Sequence, residues 1–69
     1  MAVKVSQMVI ASSPLIDIMI MLIAVANDGE ATNFIVKAQG FGENNKNRVY
    51  IENHYRNLAD AFLAYSKEI

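Results

Sequence analysis

The chain has 69 residues, of which 54% are hydrophobic, and a formal net charge of −1. A chain this short is expected to form one domain (residues 1–69) with a marginal core, because it buries only about 60% of its unfolded surface. The absence of cysteine excludes disulfides and thiolate metal sites, and the balanced charge excludes a strong field toward nucleic acid or an anionic membrane.

A β-branched segment and then a long apolar one make up the first third of the chain. Residues 3–11 predict a first strand. Residues 13–26 predict a helix, because Ser13 can serve as its N-cap and Pro14 suits the first helical position. Gly29 follows as a typical left-handed helix stop.

The predicted first helix is apolar on every side. Between residues 15 and 26 the one polar side chain is Asp17, near the helix N-terminus, where the dipole favours a negative charge. Such a helix must be covered all round, and one small sheet covers a single side. We therefore expect a homodimer or larger oligomer, with these interface residues: Ile18, Met19, Met21, Leu22 and Val25.

The same segment raises the alternative of a transmembrane span. Ser12, Ser13, Pro14 and Asp17 would then lie inside the bilayer, and the uninterrupted part, residues 18–26, is shorter than the ~20 residues that a span needs. We therefore expect a cytoplasmic protein that does not interact with membranes, and keep a small single-pass membrane protein as an alternative hypothesis.

The second half of the chain allows two interpretations. Residues 33–39 predict a second strand, parallel to the first, and residues 40–47 predict a loop. Residues 48–52 then form either a third strand, with a helix starting after Asn53 as its N-cap, or the beginning of one long helix. We prefer the strand, because three consecutive residues are β-branched or aromatic.

A stripe with helical spacing marks the C-terminal helix, and we expect it to pack on the sheet. Its members are Ile51, Tyr55, Leu58, Phe62, Tyr65 and Ile69. The predicted fold class is thus α+β, in the order β-α-β-(β)-α, with the apolar first helix packed between its own sheet and a partner subunit.

Candidate catalytic residues are few. His54 is the single histidine, and with Glu43 and Glu52 it does not match the ligand spacing of a metal site. Gly40 and Gly42 follow a strand, but a phosphate loop would lead directly into a helix and carry a lysine and a hydroxyl. We expect no enzymatic activity, no cofactor and no metal.

One region combines basic and aromatic residues around a loop, a pattern typical of single-stranded nucleic-acid binding. Its members are Lys37, Phe41, Lys46, Arg48 and Tyr50. The alternative is an ordinary solvated hairpin.

Three motifs follow one another between residues 9 and 40: Pro14, an Asn-x-Gly turn at residues 27–29, and Lys-Ala-x-Gly at residues 37–40. In these motifs, and in the spacing between the first two, the chain resembles the Alba family of small chromatin and RNA-binding proteins. The resemblance implies a β-α-β core, dimerisation and binding of DNA or RNA. Of the family's nucleic-acid-binding positions, Lys37 alone carries over.

The chain also departs from the family. Ser12 and Ser13 replace the family's basic residues before the proline, Gln39 replaces a further basic residue, and a helical segment stands in place of the final two-stranded arm. The leading hypothesis is a homo-oligomer that binds nucleic acid weakly and largely without sequence preference. The alternative is a self-assembling structural or interaction protein with no role in nucleic-acid binding.

Overall fold

The computed structural model describes residues 4–43, 46 and 48–69. These residues form one antiparallel sheet of four strands in chain order, followed by one helix. The strands are β1 (Val5–Leu15), β2 (Ile18–Asn27), β3 (Glu30–Gly40) and β4 (Val49–Tyr55), and the helix is α1 (Leu58–Glu68). The predicted order β-α-β-(β)-α is therefore wrong, and the observed order is β-β-β-β-α.

The segment predicted as an apolar first helix, residues 13–26, instead contains the end of β1, a two-residue turn and most of β2, which is one of the two inner strands of the sheet. Leu22 points to the face that carries α1, where it pairs with Val36, whereas Ile23 points to the opposite face and pairs with Ile35. We call these the helix-covered face and the open face. A strand buried on both faces is apolar throughout, so periodicity does not separate it from a buried helix. Its isoleucines and valines favour the strand.

Two tight turns replace the predicted helix ends. Asp17 adopts φ 60° in the two-residue loop between β1 and β2, so it does not lie in the first turn of a helix. Asp28 and Gly29 connect β2 to β3 with φ values of 52° and 85°. Asp-Gly is a preferred pair for such a hairpin, because both residues must be left-handed. Pro14 lies in the edge strand β1, where a missing N–H is tolerated.

The second predicted strand is confirmed as β3, but its neighbours are antiparallel. The third strand, preferred over one long helix, is confirmed as β4 and extends to Tyr55. Consequently α1 begins at Leu58, and its N-cap is Asn57 rather than Asn53. The Asn57 Oδ1 accepts a hydrogen bond from the Asp60 backbone N–H at 2.8 Å, which satisfies one of the helix's free donors.

The main core lies between α1 and the middle of the sheet. On the sheet it comprises Ile20, Leu22, Val36 and Ala38, and on the helix Ala61 and Tyr65. Two members of the predicted helical stripe, Ile51 and Tyr55, belong to β4 instead. Three others are exposed rather than packed on the sheet: Leu58, Phe62 and Ile69. The stripe prediction is therefore wrong for these residues. Within the described residues no helix is long and apolar enough to cross a membrane.

Candidate functional site

An apolar groove runs between the edge strand β1 and helix α1. It arises because α1 packs against β2, β3 and β4 but does not extend over β1. The groove has a volume of about 480 Å³, and we call it the β1–α1 groove. Its lining residues are all apolar: Ile10, Ala11, Leu22, Leu58, Ala59 and Phe62.

A β-bulge supplies one wall of this groove. Val9 pairs with Ile23 and Ala11 with Leu22, which leaves Ile10 as the extra residue in β1. Bulges of this kind redirect side chains at sheet edges. As a result two consecutive residues, Ile10 and Ala11, line the groove on the helix side.

The exposed flank of α1 supplies the other wall. Leu58 and Phe62 are four residues apart and therefore lie on the same side of the helix; both are exposed. The neighbouring side of the same helix carries Ala61 and Tyr65, which are buried on the sheet. The apolar surface of α1 thus continues from the covered core into the groove.

One side-chain hydrogen bond joins the two walls near the groove. The hydroxyl oxygens of Ser13 in β1 and Tyr65 in α1 lie 2.6 Å apart in a partly buried position. This bond satisfies the polar end of a tyrosine whose ring belongs to the core. It also ties the edge strand to the helix.

The residues predicted as an oligomer interface do not form one surface. Leu22 is buried in the helix-covered core, and Ile18 packs against the same core. Val25, with Met21 packed against it, belongs to the small cluster on the open face. The alternation follows from strand geometry, in which successive side chains point to opposite faces. Met19 is half-buried in β2, two residues before Met21.

Four of the predicted nucleic-acid-binding residues lie around the β3–β4 loop. Phe41 and Lys46 line a shallow surface groove of about 360 Å³. The Arg48 Cζ lies 4.9 Å from the centroid of the Tyr50 ring, a cation–π arrangement. Glu43 lines the same shallow groove as Lys46, so the positive charge here is partly balanced.

Lys37, the fifth predicted binding residue, lies apart from the loop on β3. Its Nζ is 3.8 Å from Glu52 Oε1, and the other oxygen of Glu52 is 3.2 Å from His54 Nε2. His54 is an exposed residue of β4 and does not lie in a helix. A half-exposed ion pair of this type contributes little to stability, and its carboxylate partly offsets the positive charge that Lys37 would present to a phosphate.

The described residues contain no cluster of three or more potential metal-binding side chains. Comparisons of the chain with protein-family models, with curated proteins and with solved structures found no match. The resemblance to the Alba family therefore stays a prediction. Its implied β-α-β core is replaced by hairpins.

The groove residues Ile10, Leu58 and Phe62 were missed as functional candidates at the sequence level. A signal was present for the helix: from Leu58 to Tyr65 the one polar residue is Asp60, more apolar surface than a helix on one sheet can bury. The bulge at Ile10 has no comparable signal. The bulge is identified only from the register between β1 and β2.

Proposed function

We propose that this protein is a small non-catalytic protein that self-assembles into a homo-oligomer and acts as a structural or interaction module. The observation that carries the proposal is the uncovered apolar surface along β1 and α1. Met8, Ile10, Leu58 and Phe62 are all exposed there. Large contiguous apolar surfaces on a soluble chain mark sites of association.

The surface area of the chain supports the same proposal. Folded monomers of 7.7 kDa expose about 4,300 Å² by the usual scaling of area with mass. This chain exposes 5014 Å², an excess of about 700 Å² over that scaling. The excess is close to the roughly 800 Å² that each partner contributes to a standard interface.

The dimensions of the chain, like its surface area, exceed those of a compact domain of the same length. The Cα radius of gyration is 12.9 Å, whereas a compact domain of this length has about 11 Å. The extents of 41 × 26 × 15 Å describe a thin slab. A slab leaves more of its apolar side chains near the surface than a sphere does, so association has more to bury.

Sedimentation equilibrium of the wild-type chain from low to high micromolar concentration tests the proposal. We expect the mass to rise from 7.7 kDa toward twice that value or more as concentration increases, since association follows mass action. A single species of one-chain mass across the whole range would contradict self-assembly.

A second candidate function is weak binding of single-stranded nucleic acid at the β3–β4 loop. It is favoured by the exposed rings of Phe41 and Tyr50, which lie in the loop region that also carries Lys46 and Arg48. Rings next to cations can stack on bases while the cations neutralise phosphates. Because Lys37 is paired with Glu52, two phosphate contacts per subunit are expected.

Fluorescence anisotropy with a labelled single strand at several salt concentrations tests this candidate. Two contacts imply a slope of log affinity against log salt of roughly −1.4 per subunit. The double substitution Lys46→Glu with Arg48→Glu should abolish binding. Arg56→Glu with Lys67→Glu is the matched control, because it changes the charge equally on exposed residues outside this loop. Equal losses in both variants would indicate a non-specific charge effect and contradict a loop site.

A further inference from the structure

We propose that helix α1 of a second copy fills the β1–α1 groove, in a two-fold dimer in which the two helices lie side by side and antiparallel. The inference rests on the proposed self-assembly and names the surface that performs it. Each helix would then cover the edge strand that the other helix leaves bare.

The groove is self-complementary. One of its walls is the flank of α1 that carries Leu58 and Phe62, and the same flank is the segment that would enter the groove of the partner. A two-fold interface requires such a patch, because each copy presents the same surface to the other. Side chains spaced by four residues form the ridges that interdigitate when two helices pack.

The edge of β1 is poorly suited to the alternative, strand-to-strand assembly. The bulge at Ile10 interrupts the regular register of this edge strand, and Pro14 lacks a backbone N–H. Both features are devices that protect sheet edges from pairing with other strands. Side-chain packing in the groove therefore remains the route by which β1 joins an interface.

The chemistry of the groove favours a protein surface over a small ligand. Its six lining residues carry no charged or hydrogen-bonding side chain, whereas ligand sites place a few polar groups to orient the ligand. A volume of about 480 Å³ can accept several large side chains. The exposed leucine and phenylalanine of a second α1 match this apolar lining.

Two neighbouring helix residues provide a matched test. Phe62 is 56% exposed and lines the β1–α1 groove, while Leu63 is 57% exposed and lines a separate groove between α1 and Tyr55 of β4. Phe62→Lys and Leu63→Lys therefore introduce the same charge at equal exposure. Ile10→Lys places that charge on the opposite wall of the β1–α1 groove.

The dimer dissociation constant of each variant is measured by sedimentation velocity, with far-UV circular dichroism to verify folding. Phe62→Lys and Ile10→Lys should each weaken the dimer roughly 30-fold or more, as expected of central interface residues. Leu63→Lys should change it by no more than about twofold. If a lysine variant unfolds, Phe62→Ala and Leu63→Ala replace the pair, with the larger loss again expected at Phe62.

The outcomes separate this inference from the proposal on which it rests. A wild-type oligomer that Phe62→Lys and Ile10→Lys leave intact would overturn the groove interface and preserve self-assembly. A wild-type chain that remains monomeric would overturn both. Equal weakening by Phe62→Lys and Leu63→Lys would also overturn the groove interface, because it would show that the introduced charge acts wherever it lies on the helix.

Discussion

The two edge strands of the sheet are covered to different extents on the helix-covered face. On β4, Ile51 and Tyr55 pack against the core beneath α1, whereas on β1 Met8 and Ile10 stay exposed. The connection explains the asymmetry: two residues, Arg56 and Asn57, join β4 to α1. A link this short places the helix over the near side of the sheet.

The widths of the elements make the uncovered side unavoidable. Neighbouring strands lie about 4.8 Å apart, so four of them span more than one helix, about 10 Å in diameter, can shield. The same helix therefore completes the core on the β4 side and leaves it open on the β1 side. The core residues of α1, Ala61 and Tyr65, and its groove residues, Leu58 and Phe62, therefore lie on adjacent sides of one helix, less than half a turn apart.

The largest expected effect concerns the closed part of the core. Leu22 is 1% exposed, and Leu22→Ala should reduce the free energy of unfolding by about 2–5 kcal/mol, because it removes buried methyl groups and leaves a cavity. Urea denaturation measures this change. A loss below about 1 kcal/mol would show that the core relaxes around the cavity. It would also weaken the distinction between the covered core and the uncovered β1 side of the sheet.

A smaller effect is expected at the hydrogen bond between Ser13 and Tyr65, which links β1 to α1. Tyr65→Phe and Ser13→Ala should each cost about 0.5–1.5 kcal/mol, since each removes one partner of the 2.6 Å contact. The double variant should lose little more than either single variant, because the second substitution removes a group that is already unpaired. Strictly additive losses in a double-mutant cycle would show that the bond is absent in solution.

The smallest effect is expected on the open side of the helix. Leu58 is 47% exposed, so Leu58→Ala should cost less than about 1 kcal/mol when the chains are dilute enough to be separate, because little burial is lost. It makes the same chemical change as Leu22→Ala and differs in burial. At concentrations where the chains associate, the cost should increase. A cost equal to that of Leu22→Ala in dilute solution would place Leu58 in the single-chain core.

The fold could be predicted from the sequence where local chemistry acts alone. Residues 33–39 have the composition and length of a strand, and they form most of β3. The C-terminal helix follows from apolar spacing, although its start shifts from Asn53 to Asn57. Both asparagines can cap a helix, and pairing of residues 53–55 with β3 decides between them.

The inner strand β2 could not be predicted because its environment lies elsewhere in the chain. The continuous apolar pattern of residues 18–26 fits a buried helix and a doubly buried strand equally, and the strand propensity of its isoleucines and valines is a weaker signal than the helix start and stop on either side. The segment Asn27-Asp28-Gly29 is ambiguous in the same way, since an αL glycine ends helices and closes hairpins. The choice depends on β1 and β3, which shield β2 on both edges.

The candidate sites also differ in whether local sequence or tertiary structure brings their residues together. The grouping of Phe41, Lys46, Arg48 and Tyr50 around a loop follows from their closeness in sequence, whereas the pairing of Lys37 with Glu52 follows from the register of β3 and β4. The groove lies between residues about 50 positions apart in the chain, such as Ile10 and Phe62, which line its two walls. Neither its existence nor its walls can be derived from local patterns.

The sequence by itself determined that this chain has much apolar surface for its length, that the chain turns at residues 27–29 and again after residue 40, and that its C-terminus is helical, because composition, turn chemistry and periodicity are local properties. The tertiary structure decided that the apolar segment is a strand, that α1 covers three strands of four, and that Ile10, Leu58 and Phe62 meet at one groove. These outcomes depend on strand register and helix width. Both are settled only when distant segments pack together.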